Sequence, residues 1–178
     1  DGDPRITEVP LDENSLISIN IALYVAENQV YPEFEDVDVD LENATDEELA
    51  DAVVDGRYSI WEVREISGEL VDRFPTDESL TVQAALWERA VAGLHLFRDA
   101  NHRTGLRSLR EILSANGIEM YGDPIGDELR EKNEKVIELS KKVRQRQKTT
   151  EGRDYRGQEM YEKDELFGIW LSYFNSVL

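Results

Sequence analysis

Cysteine is absent from the sequence, which excludes disulfides and thiolate metal sites without fixing a compartment. Long apolar runs are missing too. The longest candidates, Leu16 to Val25 and Ala84 to Phe97, are interrupted or too short for a membrane span of about 20 residues, and no charged-then-apolar leader opens the chain. A soluble, cytoplasmic protein with no membrane partner is expected. No run of alternating strand residues extends beyond a few positions, which leaves an all-α reading. Positive charge is scarce: 20 basic residues stand against 39 acidic ones, a formal net charge of −19, and the acids are spread through nearly every segment. Such a surface repels phosphate backbones and anionic membranes, so no nucleic-acid partner is expected.

What is present is helical periodicity inside this acidic background, with arginine outnumbering lysine. That balance suits a folded protein from a halophilic source. At molar salt the Debye length is about 3 Å and self-repulsion of this size is screened. The 178 residues fit a single domain, 1–178, with residues 1–12 as an extended N-terminal segment.

Leu16, Ile19, Leu23 and Val25 predict a first helix over about Asn14 to Glu27. Tyr31-Pro32-Glu33 and the acidic stretch Glu35 to Glu42 read as an exposed loop. Two capping boxes, Thr45 with Glu48 and Ser59 with Glu62, predict helices near 46 to 54 and 60 to 74. After Pro75-Thr76-Asp77, the stripe Leu80, Ala84, Trp87, Val91 and Leu94 predicts a buried helix that delivers His95 at its end. A second strong helix is expected from about Asn101 to Asn116, with Gly117 in the stop position. Asp123-Pro124 opens a polar, locally basic helix through Arg146, and Thr149 to Gly157 reads as a loop. The last helix, about Tyr161 to Val177, carries Leu166, Ile169, Trp170 and Tyr173. Lys141-Lys142-Val143-Arg144-Gln145-Arg146 is the one cationic patch, read as helix C-terminal cations that complement the dipole.

Chemistry-bearing residues concentrate in His95-Leu96-Phe97-Arg98-Asp99-Ala100-Asn101-His102-Arg103-Thr104-Gly105, between two helices with clear core faces. Free amides at the start of the second helix, Asn101 to Arg103, form an anion site reinforced by the positive dipole end. Arg103 adds a fork of donors suited to phosphate oxygens, and Asp99 offers a hard oxygen for Mg²⁺, with a helix N-cap as its plainer role. His95 is placed to accept a proton from an incoming hydroxyl. Phe97 anchors the loop in the core. His102 can hold a phosphate only when protonated or donating, which its reference pKa near 6.5 makes pH-dependent.

The spacing H-x-F-x-D-x-N-x-R resembles the signature of the Fic/Doc family, and Asp99-Ala100-Asn101-His102-Arg103-Thr104 is closer to its Doc, or death-on-curing toxin, branch. The core of the resemblance is 86–117. It implies a compact Fic-type helical bundle with the active-site loop between two core helices, and a small β-hairpin flap, for which Asp55-Gly56-Arg57-Tyr58 is the weak candidate. His95 is implied as general base, Asp99 as metal ligand, and Asn101 with Arg103 as phosphate ligands. ATP and Mg²⁺ are the implied cofactors. The implied activity is transfer from ATP to a protein hydroxyl, with Doc-type phosphorylation of a translation factor such as elongation factor Tu in the lead. AMP transfer, or a module that holds nucleotide or an antitoxin without turnover, is the alternative. Fic-branch adenylylating proteins carry Gly where His102 stands and a second Arg where Leu106 stands, and the Doc branch has Lys at the position of His102. No autoinhibitory Ser/Thr-x-x-x-Glu-Gly/Asn stretch is found, so restraint is expected from a separate small antitoxin.

Overall fold

The computed structural model describes residues 2–27, 40, 43–120 and 130–178, apart from the side chains of 24–27, 130, 131 and 157. The acidic loop other than Asp40, Tyr31-Pro32-Glu33 and Asp123-Pro124 lie outside the described residues. Among those described, the chain is all-α and no strand or hairpin is present; one isolated antiparallel bridge joins Val54 to Phe97. In chain order the helices are α1 (Ser15–Glu27), α2 (Asp46–Val53), α3 (Ile60–Asp72), α4 (Leu80–Leu94), α5 (Asn101–Ala115), α6 (Arg130–Thr149) and α7 (Glu165–Val177), with a short 3-10 turn at Gly157–Glu159. None is long and apolar enough to cross a membrane.

Both expected capping boxes form. Thr45 Oγ1 accepts from Glu48 N at 3.2 Å while Thr45 N donates to Glu48 Oε2 at 2.9 Å, and Ser59 and Glu62 repeat the exchange. Each satisfies two first-turn donors that would otherwise lack an acceptor. Gly117 has φ +70°, the left-handed stop past Asn116. Two boundaries differ from the sequence reading. Helix α6 runs on to Thr149, and α7 begins at Glu165 because Asp164 Oδ1 accepts from Phe167 N at 3.0 Å and caps it there.

Helix α4 is the axis of the fold. Every residue from Gln83 to Leu94 is buried, the pattern of a helix enclosed on all sides, and it packs mainly on α7 and α5. The main apolar cluster runs from Ile6 to Val177 and includes Phe97, Trp87 and Trp170, all fully buried. The indole of Trp87 donates to Ser108 Oγ at 2.9 Å and that of Trp170 to Ser140 Oγ at 3.1 Å, so neither ring is buried with an idle N–H. Residues 2–12 hold no regular element. They dock through Ile6, whose backbone N–H donates to Gln83 Oε1 at 2.7 Å and whose carbonyl accepts from Gln83 Nε2 at 2.8 Å.

Enclosing α4 brings charge into the core. Arg89 is fully buried, with Nε 3.2 Å from Asp164 Oδ1 and Nη2 2.9 Å from Oδ2, and Nη1 donates to the carbonyls of Glu159 and Met160. Burial raises the Asp164 pKa, but the hydrogen bonds from Arg89 and Phe167 N outweigh it and leave the carboxyl below its ordinary value. Glu88, one residue earlier, has no hydrogen-bond partner at either oxygen, and burial pushes its pKa well up, so it is held as the neutral acid. Its carboxyl lies against Gly105 of α5, where a Cβ would come within 2.1 Å of Oε2; only a glycine admits this approach.

Candidate active site

The connection from α4 to α5 is six residues long, and its shape is set by two left-handed residues, His95 at φ 51° and Ala100 at φ 59°. Neither is glycine, so each carries a steric cost of about 1–2 kcal/mol that its surroundings must offset. Asn101 supplies part of that. Its Oδ1 accepts from Phe97 N at 3.0 Å and its Nδ2 donates to Phe97 O at 2.8 Å, closing the loop on itself. Asn20 of α1 supplies another part, donating from Nδ2 to Asp99 O at 3.0 Å and to Thr104 Oγ1 at 2.9 Å. Below, Phe97 is buried as expected, and the Arg98 N–H donates to Val53 O at 2.6 Å beside the Val54–Phe97 bridge.

That bridge carries Asp55 to the loop. Asp55 Oδ2 stands 3.3 Å from His95 Nδ1, and the imidazole is one-third exposed. A carboxylate only accepts, so the contact places the proton on Nδ1 and leaves the lone pair on Nε2. Burial lowers the His95 pKa first, the positive field of Arg144 lowers it further, and Asp55 opposes both; the net result is below the ordinary value. His95 is therefore neutral at pH 7 and a competent proton acceptor.

Asp99 is half-buried, and its Oδ1 accepts from Ala100 N at 2.6 Å. It is not the N-cap residue of α5. Ala100 holds that position, and no side chain caps the helix. Arg103 lies on the first turn of α5, partly buried, with its pKa lowered by that burial. Among the described residues no three of His, Cys, Asp and Glu gather into a metal cluster. A lone carboxylate is nevertheless the donor set that suits Mg²⁺ arriving on nucleotide phosphates, since Mg²⁺ keeps its waters and takes one or two protein carboxylates.

His102 is placed differently from the phosphate-binding expectation. It is buried, its Nε2 lies 2.9 Å from Ser140 Oγ, and its ring packs against Trp170 at 5.9 Å between centroids. Burial, with the charge of Lys141 next, pushes its pKa down to about 3. A neutral imidazole in the core brings no positive charge to a phosphate. Asn101 likewise uses its amide to close the loop, and Leu106, fully buried, contributes apolar surface to the core.

The basic cluster on α6 is not a continuous stripe. Lys142 pairs with Glu138 at 2.6 Å and Arg146 with Glu165, whereas Val143 and Arg144 turn inward. Arg144 Nε donates to Gly93 O at 3.0 Å, so this cation serves the C-terminal end of α4 rather than that of its own helix. Asn20 and Ser140 were not among the expected site residues, while Asp55 was read only as part of a flap and Arg144 only as part of the cationic patch; the signal for Asn20 is an amide one turn after Leu16 on the apolar stripe of α1. No family model matches the chain, and no curated protein or solved structure does either.

Proposed function

We propose that the chain is a Fic/Doc-like ATP-dependent transferase that modifies a hydroxyl side chain of a target protein, in its leading form a Doc-type kinase of a translation factor restrained by a small antitoxin. The observation that carries this reading is His95: a neutral, partly exposed imidazole oriented through Nδ1 by Asp55, at the entrance to a helix whose N-terminus no side chain caps. In the proposed step Nε2 takes the proton of the incoming Ser, Thr or Tyr hydroxyl. Its oxygen bonds to the γ-phosphorus as the bond to the bridging oxygen breaks, and ADP leaves. Arg103 and the first-turn amides of α5 hold the phosphate oxygens, and Asp99 would hold Mg²⁺, which would supply charge neutralisation for the transferring group. AMP transfer would expel pyrophosphate instead. Leu106, fully buried where adenylylating members of the family carry an arginine, weighs against it.

Incubation with MgATP and a candidate translation factor, followed by intact-mass measurement, tests the reading. A phosphate-sized increment on the factor is expected, lost in His95→Ala. A nucleotide-sized increment replaces kinase by adenylyltransferase. No increment, or one unchanged in His95→Ala, removes His95 from the role.

A further inference from the structure

Five of the 20 basic side chains of this acidic protein line one cavity of about 330 Å³: Arg57, Arg144, Lys148, Arg153 and Arg156, with Asp154 the single carboxylate in its wall. The cavity is built between the end of α4, the last turns of α6 and the loop after it. At its floor Tyr155 comes so close to Gly93 that a Cβ there would lie 2.4 Å from the ring. The positive charge is only partly answered by the protein. Arg57 reaches Asp55 at 3.5 Å, Arg156 reaches Glu62 at 4.0 Å, and Arg153 pairs with Glu162. Arg144 and Lys148 have no ion pair among the described residues. Arg144 is more than nine-tenths buried, its Nε is used by Gly93 O, and its Nη2 is enclosed with no acceptor. A buried guanidinium short of an acceptor costs stability unless something supplies one.

We infer that this cavity is a binding site for clustered phosphate charge, a polyphosphate group that is either free or carried by a nucleotide. Size and chemistry select that class. The volume lies at the small end of ligand pockets, and arginine forks match phosphate oxygens in pairs. Each aromatic ring in the wall already has a guanidinium on one face, Arg89 on Tyr155 at 4.8 Å and Arg156 on Tyr58 at 5.6 Å, and Tyr155 is buried, so the exposed lining is mainly cationic. Nucleic acid is disfavoured because the cations are gathered in a hollow and the rest of the chain is strongly acidic. The site is distinct from the first turn of α5, yet it touches His95 indirectly. Gly93 and Leu94 of its wall precede His95 in the chain, and Arg57 shares Asp55 with the imidazole. Bound phosphate would offset the field of Arg57 and Arg144 that disfavours protonated His95.

The test is calorimetric titration of the full chain with tripolyphosphate, and separately with ATP, at fixed ionic strength, while the His95 ring is followed by NMR across pH. Saturable tripolyphosphate binding is expected, with the His95 titration moved to higher pH. Arg57→Gln and Lys148→Gln, both on exposed residues, should each weaken binding about tenfold or more, while Lys142→Gln, on an exposed cation outside the cavity wall, should leave it intact. Equal affinity for tripolyphosphate and ATP identifies the free polyphosphate as sufficient; tighter ATP binding with the same pattern of variants identifies a nucleotide. Absence of saturable tripolyphosphate binding overturns the inference, as does binding that survives both pocket substitutions or is weakened as much by Lys142→Gln. Because binding is read without turnover, His95→Ala can abolish transfer, or transfer can be missing altogether, and the pocket result still stands by itself.

Discussion

Helix α4 passes through two regions that treat charge in opposite ways. At Arg89 the protein answers the guanidinium itself: both carboxylate oxygens of Asp164 and two backbone carbonyls accept from it, and the ring of Tyr155 lies beneath. Six residues later, around His95, the account stays open. Arg144 is buried with one nitrogen unused, Lys148 lacks an ion pair among the described residues, and the imidazole is held from one side only. The first region is architecture, because every donor is matched and the pair fixes where α7 begins. The second is where a ligand completes what the protein leaves short, since a fold gains nothing from stranded positive charge in its interior.

The sharpest way to break this contrast is at the closed end. Asp164→Ala leaves Arg89 buried and unpaired, and denaturant unfolding should show a loss of about 3–5 kcal/mol; a loss below about 1 kcal/mol would mean that the pair is ornamental. The next effect is a slope rather than a step. His102 has a folded pKa of about 3 against an unfolded value near 6.5, so below the unfolded value the denatured chain takes up a proton that the native core refuses. Stability should fall by about 1.4 kcal/mol per pH unit over that window, and His102→Asn should flatten the curve whatever it does to the absolute stability. Glu88 has the opposite sign. Its folded pKa is raised, so the unfolded chain loses a proton that the folded one keeps, and stability falls as pH rises above the ordinary carboxylate value. Glu88→Met should stabilise by about 1–3 kcal/mol at pH 7, and by less near pH 4, in thermal or denaturant melts. The smallest expected change is at the open end: His95→Asn should alter stability by no more than about 0.5 kcal/mol while removing transfer activity. A large stability loss there would make the imidazole structural and erase the distinction.

The helices were legible because local rules decide them. Thr45 and Ser59 announce their helices through the glutamates three residues on, and the stripe from Leu80 to Leu94 can only be a core face. Trp87, Trp170 and Tyr173 were likewise readable as packing. What stayed hidden depends on contacts far apart in sequence. Asp55 meets His95 across 40 residues, Asn20 meets Asp99 across 79, and Ser140 meets His102 across 38, none of which periodicity encodes. His102 shows the limit most clearly. A first-turn histidine looks solvent-facing until α6 and α7 are set over it, and then burial decides its charge. Arg144 misled in the same way, since a cation near the end of α6 fits the dipole of its own helix as well as that of α4.

Ala100 carries a further implication. Its left-handed backbone is disfavoured for an L-residue, yet its methyl group packs with Ile19 and Leu23 of α1, so the contact that helps hold the loop in shape also depends on chirality. A D-alanine introduced at this point by chemical synthesis would adopt the same torsion without strain but would aim its methyl elsewhere and lose its contact with Ile19 and Leu23. L-valine would keep the apolar character and fail on the torsion. Position 100 is thus constrained by handedness as much as by size.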